Sequence, residues 1–148
     1  MAALVDLRTV SVQQDLGSTL EDCVRGLAAL LDDAGRLSDV DAFVADVLAR
    51  EAKGSTALPG GVALPHARSA AVLEPTVAVA TLPAPVTAAN GHDFDLVFLL
   101  AVPEDRAGDY LQLLRTVTTA AVKPGFRSDC RSAESSARLS DVASGAFA

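Results

Sequence analysis

The chain has little positive charge and no long hydrophobic run. It carries 12 lysines and arginines against 19 aspartates and glutamates, and its net charge is −7. Because the basic residues are scattered, the surface that binds DNA or RNA is missing. The longest apolar stretch, residues 96–103, is far shorter than the roughly 18 residues that cross a bilayer. The N-terminus has no secretion pattern. We therefore expect a cytoplasmic protein with no direct membrane insertion and no nucleic-acid partner.

Cysteine and histidine are equally scarce, with two of each. Cys23 lies in an apolar helical pattern and Cys130 in a polar C-terminal stretch, so they form neither a disulfide framework nor a zinc site. We interpret Cys23 as a core residue and Cys130 as a bystander. His66 and His92 have no ligand spacing with either cysteine, and no metal site is predicted.

Three sequence motifs are also missing. There is no Walker loop and no Gly-x-Gly-x-x-Gly turn, so a bound nucleotide is not indicated and no cofactor is predicted. There is no Gly-x-Ser-x-Gly elbow, which leaves a hydrolase triad of Ser55, His66 and Asp93 without support. Any phosphoryl donor is therefore not ATP.

Apolar residues recur at helical spacing in several parts of the chain. A capping-box pattern, with Ser18 as N-cap and Glu21 reaching back to it, predicts a first helix that ends near Gly35. A second helix is predicted after Ser38, with Gly54 as its stop. The other predictions are a helix over residues 108–122, closed by Lys123-Pro124-Gly125, and one or two short helices after Phe126, capped by Ser136 or Ser140.

Short apolar stretches predict four strands. They are residues 8–13, 62–64 before Pro65, 76–82 before Pro83 and Pro85, and 95–102 before Pro103. The last stretch is apolar after its first residue, which suits a central strand covered on both faces. Strands and helices alternate irregularly without a repeat, which predicts an α/β fold with a mixed sheet between helical layers. The length predicts one domain over residues 1–148.

The segment Gly60-Gly61-Val62-Ala63-Leu64-Pro65-His66 presents a histidine rigidly. His66 follows a short strand and a proline, and Pro65 removes one backbone freedom beside it. At a pKa of about 6.5, much of the imidazole is neutral at cellular pH, and that form attacks phosphorus or accepts a proton. A lone histidine at a strand end is also commonly a hydrogen-bonded structural residue, and both interpretations stay open here.

A cation and two hydroxyls precede this histidine closely. Arg50 ends the second predicted helix and could bind phosphoryl oxygens with two donors, and Glu51 is a natural partner to fix its guanidinium. Ser55 and Thr56 could donate hydrogen bonds to a phosphate. Each also has an ordinary interpretation: Arg50 as a cation favoured at a helix C-terminus, Glu51 as a solvated acid, and the two hydroxyls as turn residues.

These residues, Arg50-Glu51, Ser55-Thr56 and Gly61-Val62-Ala63-Leu64-Pro65-His66-Ala67-Arg68, resemble the active-site segment of a known family. It is the fructose- and mannitol-type (type 2) enzyme IIA of the bacterial phosphoenolpyruvate-dependent sugar phosphotransferase system. The resemblance covers nearly the whole chain and implies a three-layer α/β/α sandwich. It also implies that His66 accepts a phosphoryl group from phospho-HPr and passes it to a IIB cysteine. Arg50 would contact the phosphate, and no metal or cofactor would be needed. The IIB and membrane IIC components would be separate proteins.

One position departs from the family pattern. The family usually has a second histidine where this chain has Tyr110, which can donate a hydrogen bond but carries no positive charge at neutral pH. We expect phosphorylation to survive, with slower transfer or altered partner choice. The departure also favours an alternative, a regulatory interaction module that phosphorylation of His66 switches. Glu104 and Asp105 are expected at the rim of the docking surface.

Overall fold

Six strands and five helices make up most of residues 3–148, which the computed structural model describes. The strands are β1 Val10–Ser11, β2 Ala57–Leu58, β3 Val62–Ala63, β4 His66–Ser69, β5 Thr76–Thr87 and β6 Asp93–Pro103. The helices are α1 Leu20–Asp33, α2 Val40–Ala52, α3 Ala107–Ala121, α4 Pro124–Ser132 and α5 Ser136–Phe147. Among residues 3–148, no helix has both the length and the apolar character needed to cross a bilayer.

The strands form one mixed sheet in the order β1-β5-β6-β3-β2, and β4 also pairs with β6. Strands β5 and β6 are antiparallel, whereas β3 and β4 both run parallel to β6. Val62 lies opposite Leu96 and His66 opposite Leu100, so β3 and β4 are two parts of one line interrupted at Pro65. The carbonyl of Pro65 still accepts a hydrogen bond from the Leu100 amide at 3.0 Å.

Helices cover both faces of this sheet. Because successive strand residues point to opposite faces, each strand contributes to two cores. Small and aliphatic residues such as Ala63, Ala67 and Leu99 pack with α1 and α2. Larger residues such as Leu64, Phe98 and Leu100 pack with α3, α4 and α5. The predicted mixed sheet and three-layer α/β/α sandwich are confirmed.

The cap of α1 lies one residue later than predicted. Thr19, not Ser18, is the N-cap, and its hydroxyl accepts from the Asp22 amide at 3.1 Å. The Asp22 carboxylate in turn accepts from the Ser18 amide at 3.1 Å. Glu21 therefore does not reach back, and it pairs with Arg25 at 3.1 Å instead. Ser18 and Thr19 both carry a hydroxyl, and each is followed three residues later by an acid. The sequence pattern therefore fits an N-cap at either residue.

Several strands differ from prediction in their bounds or were not predicted. β5 continues through Pro83 and Pro85 to Thr87, because a bulge between Thr81 and Val86 removes the need for amide donors there. β4 was not predicted, since His-Ala-Arg-Ser lacks a strand's apolar alternation and pairs only because β6 lies beside it. β1 is shorter than the predicted residues 8–13.

The C-terminal helices also correct details of the prediction. Lys123-Pro124-Gly125 does end α3, but Pro124 is at the same time the first residue of α4, where its missing amide hydrogen costs nothing. Ser135 caps α5, rather than Ser136 or Ser140, by accepting from the Arg138 amide at 3.1 Å.

Both cysteines are buried. Cys130 lies on the buried face of α4 and packs in the core, so it is not a bystander, while Cys23 is the core residue predicted. Burial raises the pKa of Cys23 to about 11 and that of Cys130 to about 12, so both stay as unreactive thiols at neutral pH.

A buried arginine ties the N-terminal segment to the sheet. Arg36 is 2% exposed, and its Nη1 donates to the Ala3 carbonyl and the Thr76 hydroxyl, each at 2.9 Å. Its Nη2 donates to the Asp6 carboxylate at 2.9 Å. The guanidinium therefore links the N-terminal segment and β5 to the turn that follows α1.

We expect Arg36→Met to lower the free energy of unfolding by about 3 kcal/mol, because it leaves the Asp6 carboxylate and the buried Thr76 hydroxyl without the donors they accept from. The measurement is urea unfolding at pH 7. Arg8→Met is the matched control: Arg8 also pairs with Asp6, at 3.4 Å, but its side chain is 64% exposed, and we expect a loss of less than about 1 kcal/mol. Equal losses in the two variants would contradict the structural role of Arg36.

Candidate functional site

The sheet holds the backbone around His66 through the pairing of β4 with β6. Gly60 and Gly61 have φ of 97° and 82°, a region that favours glycine, and Arg127 and Arg131 pack where their β-carbons would lie. This turn leads into β3, and Pro65 and His66 then align with Leu100 on β6. His66 is therefore held by a hydrogen-bonded strand and not by a free loop, as the proline junction suggested.

The ring of His66 is oriented by its own chain. The side chain is 5% exposed, and Nδ1 lies 2.7 Å from the Leu64 carbonyl oxygen. A carbonyl oxygen can only accept, so Nδ1 carries the hydrogen of the neutral ring. The lone pair is then on Nε2, which is the ring nitrogen left free to accept a proton or to attack an electrophile.

The surroundings keep the His66 ring neutral. Burial is the largest cause that lowers its pKa, and the Arg50 charge lowers it further. The hydrogen bond to Leu64 and the charge of Glu51 act in the opposite direction but do not outweigh burial. Because the pKa of His66 lies below its ordinary value, the imidazole is uncharged, and therefore nucleophilic, at neutral pH.

Arg50 lies at the end of α2 and is half-buried. Its Nη1 donates to the Gly54 carbonyl at 3.0 Å, so the guanidinium folds back over the helix end. Its charge favours a lower pKa at both His66 and Tyr110, although burial outweighs this at Tyr110 and raises that pKa. The remaining guanidinium donors form no ion pair within residues 3–148. The structure thus brings Arg50 to the histidine while leaving it donors for an anion.

Glu51 has a different partner from the one predicted. Its carboxylate accepts from the Thr56 hydroxyl and, at 3.3 Å, from the Thr56 amide, so it does not fix the Arg50 guanidinium. The pair closes the turn after α2, which leaves Glu51 as a support of the loop. The hydroxyl hydrogen of Thr56 is used in its bond to Glu51. The Ser55 hydroxyl accepts from the Ala57 amide at 3.3 Å and keeps its own proton to donate.

Tyr110 lies beside the histidine. The His66 and Tyr110 rings are 5.8 Å apart between centroids and tilted by 44°. Burial is the main cause that raises the pKa of Tyr110, against the opposing charges of Arg50 and Arg68, so the phenol stays protonated. Tyr110 is therefore a neutral hydrogen-bond donor at the site.

Arg68 belongs to the motif around His66, but the sequence analysis gave it no role, and the structure places it beside Tyr110. Its guanidinium carbon lies 6.0 Å from the centroid of the Tyr110 ring. A usable signal existed: residues 66 and 68 are two apart on a strand and so share one face. The signal was not used because no strand was predicted over His66–Ser69.

The structure does not support the hydrolase triad or a metal site among the residues it describes. Asp93 accepts from the Thr87 hydroxyl at 2.6 Å and lies seven residues before Leu100, the partner of His66, hence roughly 20 Å along β6. A triad of Ser55, His66 and Asp93 is thereby excluded. His92 is exposed in the turn before β6. Within residues 3–148, no group of three histidine, cysteine or carboxylate side chains could hold a metal ion.

Two curated proteins with similar sequences are components of sugar phosphotransferase systems. The chain is 31% identical over 150 residues to the fructose-specific EIIA component of Haloferax volcanii, covering 96% of this chain and 93% of that protein. It is 38% identical over 117 residues to the 2-O-alpha-mannosyl-D-glycerate-specific EIIABC component of Escherichia coli K12. That alignment covers 76% of this chain but 18% of the relative, so the chain spans less than a fifth of that protein.

Solved structures share the fold along nearly the whole chain. The nitrogen regulatory protein IIA-Ntr from Neisseria meningitidis has a TM-score of 0.82 at 26% identity, covering 94% of this chain and 95% of that one. The Escherichia coli complex of enzyme IIAMtl with phosphorylated enzyme IIBMtl has a TM-score of 0.79 at 18% identity, with 95% and 97% covered. Residues 4–144 match the family profile itself. The chain therefore belongs to the phosphoenolpyruvate-dependent sugar phosphotransferase system EIIA 2 family.

Proposed function

We propose that this protein is a phosphoryl carrier, in which Nε2 of His66 accepts a phosphoryl group from phospho-HPr and gives it to a cysteine of a separate IIB component. The sugar is of the fructose or mannitol class, and a membrane IIC component binds it. The observation that carries the proposal is the 2.7 Å contact of Nδ1 with the Leu64 carbonyl. It leaves one nucleophilic atom on a buried, neutral ring.

The transfer balances without an added proton or metal. The Nε2 lone pair forms the new bond to phosphorus while the bond between phosphorus and the donor nitrogen breaks, and that electron pair stays on the donor imidazole. Throughout the transfer, Nδ1 keeps its hydrogen and donates it to the Leu64 carbonyl. The phosphorylated His66 ring therefore carries the positive charge that the donor ring loses. In the next step, the IIB thiolate takes the phosphoryl group and the ring returns to its neutral form.

Arg50 supplies the positive charge that the reaction needs. The transition state of phosphoryl transfer is loose, with negative charge spread over the equatorial oxygens, so positioning and electrostatics do most of the catalytic work. The free donors of Arg50 stabilise those oxygens, and its charge helps keep His66 neutral before attack. The Ser55 hydroxyl keeps its hydrogen for one further hydrogen bond to the phosphate, whereas Thr56 serves the turn with Glu51.

The direct test is phosphorylation of the purified chain by labelled phosphoenolpyruvate, enzyme I and HPr. We expect one phosphoryl group per chain, labile in acid and stable in base, which then moves to the cysteine of an added fructose- or mannitol-class IIB domain. A folded protein that takes no label from a cognate phospho-HPr would refute the proposal.

A second candidate is a regulatory module of the same chemistry, favoured by the likeness to a protein named as nitrogen regulatory. Phosphorylation would add nearly two negative charges beside Tyr110 and Arg68 and could switch a binding surface there. The distinguishing observation is the second step. Label that forms on His66 but reaches neither a fructose-class nor a mannitol-class IIB domain would favour regulation over transport.

A further inference from the structure

Strand β4 places an exposed cation beside the nucleophile. His66 and Arg68 are alternate residues of one strand, so their side chains leave the same face at about 7 Å spacing. Both flank the same phenol ring: His66 lies 5.8 Å from the Tyr110 ring centroid and the Arg68 guanidinium 6.0 Å. The three groups thus form one cluster on the side of the sheet that carries α3.

The Arg68 guanidinium is not committed to another charge. It forms none of the ion pairs found among residues 3–148, and its side chain is exposed. It is held only by the face of Tyr110, a contact worth little at an exposed site. An arginine with a flexible stem can therefore leave that ring when a stronger anion appears within reach.

A phosphoryl group on Nε2 would be such an anion. It has three oxygens and about two negative charges, and one guanidinium binds at most two of the oxygens in parallel. Arg50 has already given one donor to Gly54. Tyr110 stays protonated and adds no charge. The remaining cation of this cluster is Arg68.

We propose that Arg68 is a second phosphate-binding residue, whose guanidinium moves from the Tyr110 ring to the phosphoryl oxygens of phosphorylated His66. The inference rests on the proposed function, since it assigns a further contact in that same site. It makes the site a pair of arginines that approach from α2 and from β4. In the unphosphorylated protein, the Arg68 guanidinium packs on the Tyr110 ring.

The test uses two phosphoryl donors, phospho-HPr and the small molecule phosphoramidate, which needs no docking surface. The rate of labelling and the hydrolysis half-life of the phosphohistidine are measured for wild type, Arg68→Met and Arg68→Lys. We expect Arg68→Met to slow labelling from both donors by about tenfold or more, with partial recovery in Arg68→Lys. Arg115→Met, which removes an exposed arginine 140° around α3 from Tyr110, is the charge-matched control and should match wild type.

A double-mutant cycle separates direct contact from positioning through the phenol ring. We expect the Arg68→Met effect to persist in a Tyr110→Ala background. An effect that disappears there, or that is absent with both donors while wild type is labelled, would overturn the inference and leave the proposed function standing. Label from phosphoramidate but not from HPr would overturn the proposed donor alone, and the variants would still decide the role of Arg68. No label on wild type from either donor would overturn both.

Discussion

His66→Gln is expected to abolish phosphorylation by phospho-HPr, with a fall of at least roughly 10³-fold in the rate of labelling. Glutamine retains an amide donor for the Leu64 carbonyl and similar bulk, so the fold should persist. It offers no nucleophilic nitrogen, because the amide lone pair is delocalised. Labelling kinetics from phosphoenolpyruvate through enzyme I and HPr measure the loss, and thermal unfolding checks that the variant is folded.

His92→Gln is the matched control, since it makes the same chemical change at the other histidine. That residue is exposed in the turn before β6, and its variant should be labelled at the wild-type rate. Label retained in His66→Gln but lost in His92→Gln would place the nucleophile elsewhere and contradict the assignment of Nε2.

The second large effect is expected at Arg50. Arg50→Met should slow phosphorylation of His66 by about 10²- to 10³-fold, because it removes charge stabilisation from a loose, anionic transition state. Arg50→Lys should recover part of the rate, since an ammonium restores charge without two parallel donors. Arg25→Met is the control of equal charge change: its partner Glu21 is on α1, and both side chains are about half exposed.

We also expect Arg50→Met to change the pH dependence of the rate of His66 phosphorylation. Arg50 lowers the pKa of His66, so its removal should raise that pKa. The nucleophile is lost as pH falls through the His66 pKa, so the wild-type rate should decline only below the ordinary histidine value. In Arg50→Met, the decline should begin at higher pH. An NMR titration of the His66 ring in both proteins checks the direction, and an unchanged or lower pKa in the variant would contradict the proximity of Arg50.

Local sequence patterns were sufficient for several elements and insufficient for others. The apolar spacing in α1 and α2 and the continuous apolar run of β6 each reflect a buried stripe or a strand covered on both faces, so their positions could be predicted. β4 has no such pattern. Its four residues are extended only because β6 offers hydrogen-bond partners beside them. Cys130 likewise has polar neighbours in the sequence and is buried because α4, which carries it, packs on the sheet.

The candidate site divides in the same way. Residue order alone was enough to indicate a rigidly presented His66, a nearby Arg50 and a departure at Tyr110, because those features are read from adjacent residues and a motif. The His66 tautomer, the Glu51 bond to Thr56, and the approach of Tyr110 and Arg68 to one ring required the folded chain. Tyr110 is 44 residues from His66, and their rings meet only because β4 pairs with β6 and α3 packs on that face. Spacing along a chain encodes local conformation, whereas sheet register and helix packing set distances between remote side chains, and catalysis depends on those distances.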